Sequence, residues 1–221
     1  RHADCITVLE DQDSFSSEFG GVMPLTADVP TPGQRHALGF DSIPTFLDPP
    51  RHQKMRRPFN KHFAAPAIAR LRDAIHAAVD AIIEDVLPRG NCDFVDDIAG
   101  PLPVYMMCEM MGIPVEDRPQ IRRHCGAFMA AQDPEYQIDG DDLATQRHHL
   151  MGVHDYIARL ALRRREKPTD DFTSLVANME VDGERFSERD VGWWCFALVT
   201  AGLETTRSAL SVGFLELFRN P

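Results

Sequence analysis

Residues 187–221, SERDVGWWCFALVTAGLETTRSALSVGFLELFRNP, set the terms for the whole chain. Ser187 with Asp190 three residues on reads as a capping box, and Asn220-Pro221 as a stop signal. Between them about 30 helical residues give a helix roughly 45 Å long, about the full width of a domain of this size. Such a helix has to run through the protein. Its apolar residues Val191, Trp193, Trp194, Phe196, Leu198, Val199, Leu203, Leu210, Phe214 and Leu217 go most of the way round, which predicts burial along its length.

The centre of that helix, Ala201-Gly202-Leu203-Glu204-Thr205-Thr206, breaks the rules its ends obey. An interior glycine costs about 1 kcal/mol against alanine, and each β-branched residue adds several tenths. A carboxylate buried without a partner costs more. Local failures of this kind mark a site. Ala197, Ala201 and Thr205 repeat at i, i+4, i+8 with Gly202 beside them, a shallow face that a flat ligand could approach. AGLETT resembles the [AG]-G-x-[DE]-T-[TS] motif of the haem-thiolate monooxygenases, the cytochrome P450 family. The resemblance implies that Ala201 and Gly202 lie over a porphyrin. It makes Glu204 and Thr205 catalytic, binding water and relaying protons during O2 reduction, and it makes Ala197, Thr200 and Phe46 substrate contacts. For the six-residue motif alone, a buried helix with a polar kink and no cofactor is the alternative.

A second segment, DPPRHQKMRRPFNKHF (48–63), puts His52 and Arg56 at i, i+4 on one helix face, where they could grip two carboxylates. It is similar to the family pattern DPPeHxxxR, whose His and Arg hold the haem propionates. Without the resemblance it reads as a solvated basic face. Pro58 should kink or end this helix near Arg57. Further similar segments are the early helix ending Phe15-Ser16-Ser17 and DFVDDIAGPLPVYMMCEMMGIPVEDR (93–118).

Residues 20–50 hold six prolines and four glycines, too many for regular structure, and the resemblance makes them a substrate-covering loop. The 3–4 spacing of Ile68, Leu71, Ile75, Val79, Ile82, Ile83 and Val86 predicts a core helix, and Cys92 to Val95 a short strand. Helices are expected at about 116–131 and 141–166, a pair (116–166) that moves as a lid in the family. Met106, Met107, Met110 and Met111 read as core filler. Residues 180–186 read as a hairpin turning on Asp182-Gly183. The spacing of His148, His149 and His154 does not suit a metal site.

At 221 residues, 43% hydrophobic and 26% charged, the chain suits a single domain or part of one. No long uncharged apolar run and no leader are evident, which points to a cytoplasmic protein with no membrane insertion. Five cysteines without pairing pattern read as free thiols, and a net charge of −11 argues against a nucleic-acid partner. The ordered matches imply a mainly α, partial P450 fold with a minor β hairpin, residues 1–221 being a fragment of a larger catalytic domain with 187–220 as its central helix. They imply haem b (iron-protoporphyrin IX) as cofactor. Its axial cysteine is expected downstream, since no cysteine here stands in the family's Phe-x-x-Gly-x-x-x-Cys-x-Gly setting, and no metal ligand is assigned within the chain. Glu204 to Arg207 and Glu216 to Arg219 match the family's Glu-x-x-Arg signature only by coincidence. The implied function is hydroxylation of a compact apolar substrate (terpenoid, steroid or other lipid-like) with O2. Electrons would come from a ferredoxin-type partner and its NAD(P)H-dependent reductase. A peroxide-using relative and a haem-free helical binding module are the alternatives.

Overall fold

The computed structural model describes residues 1–18 and 30–220. Its helices are α1 His2–Glu10, α2 Pro32–Ala37, α3 Arg51–Arg56, α4 Ala65–Ala69, α5 Arg72–Val86, α6 Pro101–Met111, α7 Arg118–Met129, α8 Asp142–Glu166, α9 Phe172–Ala177 and α10 Glu188–Arg219. A two-stranded antiparallel hairpin, β1 Glu180–Val181 and β2 Glu184–Arg185, precedes α10. Asp182 and Gly183 both turn through positive φ, as the Asp-Gly pair requires.

Helix α10 is the axis. At 32 residues it is about 48 Å long, and α6, α7, α8 and α9 all pack against it. Ser187 caps it by accepting from the Asp190 N–H, while the Asp190 carboxylate accepts from the Ser187 hydroxyl (2.6 Å) rather than from its backbone. Trp193 and Trp194 are fully buried and point to different partners. Trp194 stacks on Phe59 with ring centroids 4.0 Å apart, Trp193 lies against His154 of α8 at 4.2 Å, and Phe196 meets Phe128 of α7 edge-on at 5.3 Å.

The first turn of α10 is also tied down by polar contacts. Arg189 donates to the His36 carbonyl, to Asp41 Oδ1 (2.7 Å) and to Ser42 Oγ (2.9 Å). Ser42, itself buried, donates to Asp190 at 2.5 Å. Burial alone would raise the pKa of Asp41, but the bonds from Arg189 and His36 outweigh it and hold the carboxyl below its usual range.

Four expectations are corrected. The segment around residues 30–47 is not devoid of regular structure. Thr31 accepts from the Gln34 N–H, and the Gln34 side chain accepts from the Thr31 N–H, so a capping box with Pro32 in the first turn starts α2. Residues 20–29 of the expected loop lie outside the described residues. The Cys92 to Val95 strand is instead a turn of π-helix over Phe94–Ala99, because the Asp93 carboxylate caps the Val95 and Asp96 N–H groups. The α5 face is not core: Ile68, Ile75, Val79 and Ile83 are exposed, and only Ala78 and Val86 of α5 are buried. The burial of α10 stops at Glu204, beyond which Leu210 (39% exposed), Phe214 (52%) and Leu217 (73%) face outward.

Pro58 acts as expected, since α3 ends at Arg56 and a 3-10 turn covers Arg57–His62. That turn carries Phe59 to Trp194. Gly39, at φ +75°, carries the 36–42 segment to Trp193, and a Cβ added there would overlap the indole ring. Gly39→Ala should therefore destabilise the protein by about 2–4 kcal/mol, combining the left-handed backbone cost with overpacking. Urea denaturation reads this directly, and a loss below about 1 kcal/mol would mean that the 36–42 segment does not depend on Trp193.

Candidate active site

Around residue 202 the two sides of α10 have different surroundings. Leu203 and Glu204 are buried, while Ala201 and Thr205, four residues apart on the opposite side, are exposed. Ala197, one turn earlier, is half-buried, so this row of small residues emerges from the core toward an open face. The Thr205 hydroxyl donates to the Ala201 carbonyl (2.6 Å), leaving its lone pairs available as acceptors. Thr200 is buried and turns its hydroxyl onto the Phe196 carbonyl at 2.9 Å.

Gly202 answers to a different neighbour. A Cβ there would overlap the Met107 methyl of α6, the flexible end of that side chain, which would have to shift. Met107 itself is half-buried against the core.

Glu204 does not lack a partner. Its Oε2 pairs with Arg207 at 2.6 Å, one turn along the same helix. Its other oxygen faces Gly126 of α7, and the Tyr136 hydroxyl faces the same glycine. Burial first, and Glu135 next, raise the Tyr136 pKa and keep the phenol a proton donor. Asp96, Arg122, Tyr136, Glu204 and Arg207 line a cavity of about 30 Å³, the volume of one water. The coincidental Glu-x-x-Arg match is thus an i,i+3 ion pair with a structural task. Glu216 and Arg219 form a second, exposed one at 3.2 Å. Arg207 was legible from spacing alone, whereas nothing in the sequence brings Tyr136 to Glu204.

His52 is half-buried and lines an open cavity of about 840 Å³ with Val8, Leu9, Phe15, Pro44 and Leu47. Arg56 is exposed, with its guanidinium 5.3 Å from the centre of the Phe63 ring. Among the described residues neither side chain has a carboxylate partner within 4 Å. Phe46, half-buried, stacks on Phe40 at 4.5 Å.

No protein-family model matches the chain. Individual proteins do. Methyl-branched lipid omega-hydroxylase of Mycobacterium tuberculosis is 37% identical over 179 residues, 79% of this chain and 41% of that protein. Steroid C26-monooxygenase of Mycolicibacterium smegmatis is 29% identical over 222 residues, 100% of this chain and 50% of its own length. The solved structure of a Mycobacterium marinum cytochrome P450 in complex with pseudoionone superposes with a TM-score of 0.85 at 32% identity, over 96% of this chain and 50% of that one. The chain belongs to the cytochrome P450 family. It spans about half the length of the curated relatives it matches or less.

In this P450 chain all five cysteines are free. Burial raises the thiol of Cys108 to about 11 and pushes Cys125 and Cys195 higher still. No helix of the described residues is long and apolar enough to cross a membrane.

The Glu204–Arg207 pair can be tested by a double-mutant cycle. Arg207→Ala leaves a buried carboxylate unpaired and should cost about 2 kcal/mol, discounted from the fully buried case because the arginine is partly exposed. Adding Glu204→Gln should recover about 1 kcal/mol of that loss. Strict additivity in chemical denaturation would show that the pair does not act as a unit.

Proposed function

We propose that this chain forms part of a haem-dependent monooxygenase that hydroxylates a compact, lipid-like apolar substrate with O2. The observation that carries the reading is the row Ala197, Ala201, Thr205 emerging onto an open face of α10, with a buried, charge-paired carboxylate one residue away at Glu204. Small side chains admit a flat ring to the helix, and the adjacent acid supplies exchangeable protons. The substrate class follows the named relatives, one a methyl-branched lipid hydroxylase and the other a steroid monooxygenase.

The residues present fit haem b. His52 and Arg56 are hydrogen-bond donors with no carboxylate within 4 Å among the described residues, although Asp48 acts on His52 electrostatically, and two propionates would complete them. Ala201 is exposed and leaves the α10 backbone there with little side-chain cover, while Met107 of α6 lies against Gly202. Bound there, haem would supply the one-electron redox chemistry that activates O2. The protein's own work is then positional and protic. His52 and Arg56 anchor the carboxylates, and Thr205 accepts a hydrogen bond from water through its free lone pairs. Glu204 exchanges protons with water entering the cavity it shares with Tyr136 and Arg207, on the side of α10 away from Thr205. Thr200, Ala197 and Phe46 contact the substrate. Residues 30–50 and the α7–α8 pair cover it.

Reduction of the intact protein under carbon monoxide tests the reading, since a thiolate-ligated haem moves its Soret band far to the red. A protein that takes up no haem would overturn it. His52→Ala with Arg56→Ala should weaken haem retention, each charge-assisted bond contributing about 1.5–3 kcal/mol. Thr205→Ala should leave substrate binding intact and divert electrons from product to peroxide or water. Unchanged coupling would remove Thr205 from the relay.

The electron donor we infer is a small acidic ferredoxin. Arg51, Lys54, Arg56, Arg57 and Lys61 are all exposed on an otherwise acidic protein. Lys54 is engaged by Asp182 at 2.7 Å, whereas Arg51, Arg57 and Lys61 have no acid within 4 Å among the described residues. Such an island attracts and orients an acidic partner. Charge reversal at Arg57 and Lys61 should slow association about tenfold at low salt, with the effect shrinking toward 1 M salt. Stopped-flow reduction that is unaffected by both reversals would move docking elsewhere.

A further inference from the structure

Helices α7 and α8 meet across a pair of imidazoles that the haem reading leaves unused. His124 of α7 and His149 of α8 place their Nδ1 atoms 2.9 Å apart. His149 is buried at 6% exposure, and His124 is half-buried. The His124 ring lies over Gly152, one turn along α8 from His149, and a Cβ at Gly152 would overlap that ring. The seat for His124 is therefore built into the α8 backbone.

An Nδ1–Nδ1 contact of 2.9 Å holds one proton, donated by one ring and accepted by the other. With His124 as the donor, His149 Nδ1 is the bare acceptor, and Gln120 Nε2 lies 3.4 Å from His124 Nε2. A proton added to His149 Nδ1 would set N–H against N–H at that distance.

We propose that the His124–His149 pair is an acid-sensitive latch, closed while His149 Nδ1 is bare and opening the α7–α8 contact when that atom takes a proton. The groups acting on the rings do nothing to offset such a charge. They are His148 on α8 and Arg123 on α7, the former 4.9 Å ring to ring from His149. From the other packed elements no compensation comes: within 4 Å the described residues set a carboxylate against His36 and His154, but against neither of these rings. Burial first, and the neighbouring cations next, lower His124 and bring His149 to about 4.

The sign of the pH effect follows. A histidine lowered in the closed state binds its proton more readily once open, so the contact is fully stable above about pH 6.5 and weakens as pH falls toward 4. With one linked proton the opening constant rises up to tenfold per pH unit, or about 15-fold between pH 6.5 and 5. The latch does not depend on haem.

Hydrogen exchange of α7 and α8 in the intact protein, corrected for the intrinsic pH dependence of exchange, tests it. Wild type should show the roughly 15-fold rise in opening between pH 6.5 and 5, and His149→Gln less than threefold. An equal rise in both, or none in wild type, overturns the proposal. Should His149→Gln fail to fold, the imidazole NMR titration of wild type decides. His149 still neutral at pH 5.5 while the α7–α8 contacts persist supports the latch. A protonated His149 with those contacts intact overturns it.

Discussion

Two adjacent tryptophans, Trp193 and Trp194, hold the chain to its central helix. Neighbours on a helix point about 100° apart, so a buried pair has to be met by two different surfaces. Trp194 takes Phe59 from the turn after α3, and Trp193 takes His154 of α8 and the bare backbone at Gly39. Burying an indole contributes on the order of 4–6 kcal/mol before conformational entropy is counted. These contacts fix the basic segment and the 36–42 segment to the same end of α10. The Arg189 cluster with Asp41 and Ser42 then sets the register there.

The tightly held first half of α10 ends where its side chains turn polar. Glu204 tolerates burial because Arg207 sits one helical turn away and a water-sized cavity adjoins them both. On the other side Ala201 and Thr205 are open. Gly202 meets the Met107 methyl of α6, while its neighbour Ala201 lies on the exposed face. Rigid support behind a site and small residues in front of it are what precise positioning of a flat cofactor requires.

Much of this was legible in residue order. The capped start of α10, the polar interruption at residues 201–206, the break at Pro58 and the Asp-Gly hairpin each follow from local chemistry acting within a few residues. The Thr31 to Gln34 capping box and the Asp93 cap were equally local, but there a count of prolines and a short apolar run outweighed the better signal. Periodicity identified α5 as a helix yet could not tell which surface would cover Ile75 and Val79, because a stripe of apolar residues carries no information about its partner.

By itself, then, the sequence determined the start of α10, the break at Pro58, the hairpin at 180–186 and the residue types of the candidate site, since these depend on interactions between neighbours in the chain. Only the tertiary structure decided that α10 is buried as far as Glu204 and open beyond it. It alone brought Tyr136 to Glu204, paired Lys54 with Asp182, and set His124 against His149. Those contacts join residues that lie 25 to 128 positions apart in the two measured pairs. Their geometry is fixed by how whole helices pack, which no local pattern encodes.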